Sequence, residues 1–189
     1  SNSVGLPFPK HVTSDIVTIS HDHDDHNAAS AVEGSPFVIS GPGEYEIKGV
    51  GIVGIGVYHD DAKGGKRGKN TIYRIEIDRI SLVHLGDLGH ELSASEVDSL
   101  DGVDVLFVPV GGVYTIDPVQ ATKIVHEIEP TFVIPMHYLR PGMNEKIFAG
   151  LSGVEAFLKE MGKTGVLPVT KLSISKDKLP EEMQVVILQ

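Results

Sequence analysis

Apolar residues in this chain fall into short runs separated by glycine, proline and charge. Most of the runs have the length and branching of β-strands. Asp15 to Ile19 (DIVTI), Pro36 to Ser40, Glu44 to Lys48, Val50 to Tyr58 and Asn70 to Asp78 read as strands, with a turn at Gly41-Pro42-Gly43. In Val50 to Tyr58 glycine alternates with Ile and Val, which signals bulges or close backbone approach. Ile80 to Leu85, Val103 to Val110 and Thr131 to Met136 are almost wholly apolar, as strands covered on both faces are. Helices are predicted between the later strands. Asn27 to Val32 reads as a short one, and Ser93 to Glu96 and Ser152 to Glu155 as capping boxes. Asp117-Pro118 supplies a cap and a first-turn proline, after which Val119, Ile124, Val125 and Ile128 form an apolar stripe. Val154, Phe157, Leu158 and Met161 form another, and Val169 to Ser173 and Met183 to Leu188 read as closing strands. Hairpins first, then strands alternating with helices, predict an α+β αββα sandwich. No repeat or linker divides the pattern, so residues 1–189 are read as one domain with an extended lead-in over 1–14. Ser1-Asn2 reads as a tag remnant.

Composition narrows the function classes. At 189 residues and 41% hydrophobic the chain can bury a core, and no apolar run is long enough to span a bilayer. Without a signal-peptide pattern and with no cysteine, a cytoplasmic protein is expected, and any metal site must be built from His, Asp and Glu. A net charge of −10 argues against nucleic acid as a partner. One basic strip runs from Lys63 to Lys69. It reads either as a solvated loop or as a holder for an anionic group of a substrate beside a metal.

The densest chemistry is His21-Asp22-His23-Asp24-Asp25-His26, on the loop leaving the first strand. Imidazole nitrogen and carboxylate oxygen suit Zn, Fe, Mn or Ni, zinc being the usual occupant of mixed sites. His21 and His23, two apart on extended chain, point the same way, and Asp25 and His26 can reach a second metal past the turn. Six such residues in a row are poorly explained as a solvated loop. His59, Asp87 and His137 each follow a predicted strand, which fits convergence on a shared site.

With these residues the chain resembles the metallo-β-lactamase superfamily, and within it the small metal-dependent hydrolases of the ascorbate-6-phosphate lactonase-like branch. His21 to His26 matches the HxHxDH motif and Leu85-Gly86-Asp87 the GD motif. Pro109 to Thr115 followed by Ile134-Pro135-Met136-His137-Tyr138 matches the branch's late signature. The resemblance implies a binuclear site, with His21, His23 and His59 on one metal, Asp25, His26 and His137 on the other, and Asp87 bridging. Two Zn²⁺ are expected, with Mn²⁺ or Fe as alternatives. It implies hydrolysis of a small ester, lactone or phosphoester by a metal-bridging hydroxide, with Asp25 orienting the water and taking its proton. His90 and Tyr138 are the expected substrate contacts, and His84 is read as structural. The family's usual N-terminal strand pair is not found ahead of the first predicted strand. An exposed sheet edge is therefore expected, covered by a second copy of the chain in a homo-oligomer. That departure keeps one alternative in view, a catalytically degraded member that binds metal or ligand.

Overall fold

The computed structural model describes residues 4–189, so the Ser1-Asn2 reading lies outside the described residues. Its backbone is a seven-stranded mixed sheet with a two-stranded parallel sheet laid on one face. The small sheet is β1 (Ile16–Ile19) and β2 (Phe37–Ser40). The large one runs in chain order through β3 (Gly43–Ile47), β4 (Val50–Tyr58), β5 (Lys69–Ile77), β6 (Ile80–His84), β7 (Val105–Pro109), β8 (Phe132–Met136) and β9 (Gln184–Val185). β3 to β6 form an antiparallel meander, and β6 to β9 are parallel. The change at β6 follows from the connections. Antiparallel neighbours can be joined by a turn or a loop, whereas β7 and β8 are joined through a helix, as parallel neighbours require.

Three apolar clusters fix these layers. The largest holds Val57, Ile72, Val83, Leu85, Leu106 and Val108 on one face of the sheet, under α2 (Pro118–Ile128) and α4 (Val154–Glu160). On the opposite face, Ile80, Val105, Phe132 and Ile134 are covered by Leu172, Ile174, Leu179, Val186 and Leu188 from the C-terminal segment. Buried Asp104 anchors that cover, accepting a hydrogen bond from Ser81 N and an ion pair from Lys176. Further along the same face, Ile39 of β2 packs with Ile52 and Tyr73, and Ile16 of β1 joins them. The alternating glycines of β4 serve the close approach the sequence suggested: a Cβ on Gly54 would stand 2.8 Å from the Gly41 carbonyl.

The expected strands recur within a residue or two, with two exceptions. Val169 to Ser173 forms no strand, only a bridge between Val169 and Leu188, and Met183 to Leu188 shortens to β9. Asn27 to Val32 holds a single 3-10 turn at Ala29–Ala31. α3 (Glu145–Phe148) was not anticipated, since a four-residue helix is too short to show a period. The caps also divide. Ser93 and Glu96 form a capping box on α1 (Ala94–Asp98), as do Asp117 and Gln120 on α2. Ser152 caps nothing, and Gly153 is the N-cap of α4 without a side-chain bond. On α2 the buried residues are Ala121, Ile124, Val125 and Ile128, while Val119 is 60% exposed.

Candidate metal centre

The chain returns to one end of the large sheet four times, each time setting down an imidazole or carboxylate. The first visit is the loop after β1. His26 N and Asn27 N both donate to the His23 carbonyl, a turn that folds His26 back over His21 with ring centroids 4.5 Å apart. This loop is tied to the sheet. Thr71 N donates to Ser20 O, and the buried Tyr73 hydroxyl donates to Ile19 O and accepts from Gly41 N, both at 2.9 Å. The second visit is the β4–β5 loop, where His59 follows Tyr58. Asp60, itself buried, accepts from the backbone N–H groups of Ala62, Gly64, Lys66 and Arg67. Burial pushes its carboxyl up, but those four donors hold it down at about 2. The third visit is the turn after β6, which carries Asp87. Asn70 of β5, also buried, donates to Leu85 O and accepts from Asp87 N, gripping the turn on both sides. The fourth is the turn after β8, where His137 has φ 53°, a left-handed backbone for a non-glycine residue. Gly111 makes room for it: a Cβ there would stand 2.1 Å from the His137 carbonyl.

All seven expected ligands meet. Nε2 of His59 and of His137 lie 3.3 Å from Asp87 Oδ2, that of His26 3.5 Å and that of His21 3.7 Å. His21, His23 and His59 offer ligand atoms within 4.8 Å of one another, and so do His21, His26 and Asp87. Asp25 Oδ2 is 3.7 Å from His26 Nε2. His21, His59 and Asp87 are buried and His23 is exposed. Asp25, His26, His59, Asp87 and His137 line a cleft of about 390 Å³, together with Arg67, Tyr114, Ile147 and Phe148.

This donor set fits a cation better than it fits a hydrogen-bond network. One carboxylate oxygen has two lone pairs and cannot satisfy four imidazoles. The buried Nε2 of His21, which faces the centre, has no hydrogen-bond partner. Burial drives the His21 imidazole down to about 4. Asp87 opposes that, and His26, His59 and His23 reinforce it, so His21 is neutral and its nitrogen is free to coordinate. Ser20 Oγ, 2.9 Å from His21 Nδ1, orients the ring. For Asp87 burial pushes up, but bonds from His137 and His59 hold the carboxyl well below its usual range. Burial lowers His137, yet Asp87 outweighs it and the net direction is up.

The two expected substrate contacts lie elsewhere. His90 Nε2 accepts from Tyr58 N and its Nδ1 faces Glu91 O at 2.8 Å, so both nitrogens serve the local fold. Tyr138 packs against the main core cluster and lines a separate pocket beside α4. Tyr114 lines the cleft instead, with its hydroxyl donated to Ile147 O. His84 accepts from Gly86 N and stacks on Phe107, and burial lowers it to about 4, which agrees with a structural reading. Asn70 and Asp60 were not singled out from sequence. An Asn opening a strand and an Asp beside another Asp carry no distinctive pattern.

Known proteins resemble this chain in sequence and fold. The sequence model of the β-lactamase superfamily domain matches residues 2–137. A UPF0173 metal-dependent hydrolase of Thermococcus onnurineus is 28% identical, over 72% of each chain. The crystal structure of a Thermotoga maritima protein, assigned as a Zn-dependent hydrolase of the metallo-β-lactamase superfamily, superposes with a TM-score of 0.79. It is 36% identical and covers 97% of this chain and 87% of that one. A Parabacteroides distasonis structure shares the fold at TM-score 0.59 and 21% identity, over 96% and 79%. The strand-end cluster, the mixed sheet with its helical layer and these matches agree: the chain belongs to the metallo-β-lactamase superfamily.

Proposed function

We propose that this metal-dependent hydrolase works through a binuclear centre, zinc by preference, acting on a small ester, lactone or phosphoester. The observation that carries the reading is the convergence of four imidazole nitrogens on one oxygen of Asp87. His21, His23 and His59 would hold one cation, Asp25, His26 and His137 the other, with Asp87 shared between them. When bound, the cations supply Lewis acidity and lower the pKa of water toward neutrality.

The chain's own residues do the rest. Asp25, at the cleft wall beside His26, orients the attacking water and accepts its proton. Ile147, Phe148 and the face of Tyr114 make one wall apolar, which strengthens electrostatic contacts inside the cleft. The Tyr114 hydroxyl is spent on Ile147 O, so the ring acts as a wall and not as an acid.

The test is metal analysis followed by activity. Purified under metal-replete conditions, the protein is expected to hold about two cations per chain. A chelator should abolish hydrolysis of a lactone and phosphodiester panel, and added metal should restore it. Asp87→Asn should lower metal content and reduce turnover at least ~100-fold, since changes one shell further out already cost 10–100-fold. Less than one metal per chain would overturn the reading. A full metal complement with no turnover on the panel would favour a member that only binds.

A further inference from the structure

Resting on the hydrolase reading, we infer that Arg67 is the anion-binding residue of the cleft, so that the substrate carries a phosphate or carboxylate group next to the bond that is cut. Arg67 is half-buried and lines the cleft of His23, Asp25, His26, His59, Asp87 and His137. Together with His23 it also lines the neighbouring cleft of about 740 Å³, which holds Lys69, Ser40 and Asn27, and so it borders both.

The guanidinium is presented and largely unused. Its one side-chain hydrogen bond among the described residues goes from Nη2 to the carbonyl of Val113 at 3.0 Å, and it lies 5.6 Å over the Tyr114 ring. Four of its five N–H donors have no protein acceptor there. It has no carboxylate partner among the described residues, although the chain carries 26 acidic residues against 16 basic ones. Elsewhere in the basic strip the charges are disposed of differently: Lys66 pairs with Asp61, and Lys63 is exposed.

The placement is built. Asp60 receives the backbone N–H of Lys66 and of Arg67, at 2.9 and 2.6 Å, and this fixes where the side chain starts. Val113, whose carbonyl holds the far end, has φ 61°, a costly backbone for a β-branched residue. A guanidinium beside a centre meant for cations is repelled by them. An anion placed between them offsets that repulsion, and the planar fork matches a phosphate or carboxylate.

Inorganic phosphate is the probe. It is titrated calorimetrically into the metal-loaded protein, with metal content and thermal unfolding recorded for each variant. The wild type should bind it, and R67A should weaken binding at least about tenfold at unchanged metal content. R79A, which removes an exposed arginine paired with Asp177, should change nothing. R67K keeps the charge and loses the fork. It carries the test if R67A does not fold, with a weakening of at least about threefold expected. Wild-type protein that ignores phosphate, or an R67A or R67K that binds it as the wild type does, overturns the assignment. In parallel, KM for an anionic phosphodiester should rise in the folded Arg67 variants while KM for a neutral ester holds. Equal KM values for both substrates across the variants also overturn it. The two readings fail separately. Metal-restorable turnover that is indifferent to Arg67 removes this inference alone, and Arg67-dependent phosphate binding without turnover removes the hydrolase reading alone.

Discussion

Asp87 is aimed by an amide on the neighbouring strand. Asn70 is 1% exposed and satisfies both Leu85 O and Asp87 N, the two backbone groups that flank the Gly86 turn. Asn70→Ala would leave both buried and unpaired. The expected loss is about 2–6 kcal/mol, since each of the two orphaned groups costs roughly 1–3, and thus a fall in Tm of roughly 4–24 °C by calorimetry. Metal content should fall with it, because the carboxylate is no longer held against the imidazoles. Unchanged metal content at a lowered Tm would make Asn70 a purely structural residue. At this scale the sequence was uneven. The seven His and Asp residues were legible because chemistry that rare, repeated at strand ends, has few other uses. Asn70 was not, because only its three-dimensional partners distinguish it from any polar residue at the start of a strand. His90 misled for the converse reason: its nearness to Asp87 along the chain gave no warning that Tyr58 N and Glu91 O take both its nitrogens.

At the scale of elements, the sheet separates into a core and an added layer. β6 to β8 are covered on both faces, by helices on one and the C-terminal segment on the other. The β1–β2 pair rests on a small cluster around Ile39, Ile52 and Tyr73, and Phe37 and Val38 of β2 stay exposed. A single hydroxyl links the end of β1, the turn after β2 and the middle of β5: that of Tyr73, bonded to Ile19 O and Gly41 N. Tyr73→Phe keeps the ring and removes that link. The expected cost is about 1–3 kcal/mol, felt locally. Amide exchange across β1 and residues 37–41 should quicken by roughly 10–100-fold while β7 and β8 keep their protection. Equal acceleration in β7 and β8 would show that the layer does not open by itself. The strands were readable because β-branched runs between turn residues leave few alternatives. How the layers stack was not, since the hydroxyl and the Asp104–Lys176 anchor join positions far apart in the chain.

Across the whole molecule, the proposed centre draws its ligands from the loop after β1, the β4–β5 loop and the turns after β6 and β8, so it spans the added layer, the antiparallel half and the parallel half. A cation held there crosslinks segments that the unfolded chain keeps apart, and each dication cancels two of the ten net negative charges that oppose compaction. Binding to the folded state alone stabilises by linkage, about 2.7 kcal/mol when free metal is 100 times Kd. For a chain of this size that is a rise in Tm of roughly 5–11 °C. Chelation should therefore lower Tm by about that much, reversibly on adding metal back, with the shift growing with metal concentration as mass action requires. Asp87→Asn should unfold at nearly the same temperature with and without chelator, because the shared ligand is gone in both. A wild-type Tm indifferent to chelator would mean that these four visits to the sheet end are held by the protein fold alone. The imidazole cluster would then be an arrangement the chain maintains without a cation to pay for it.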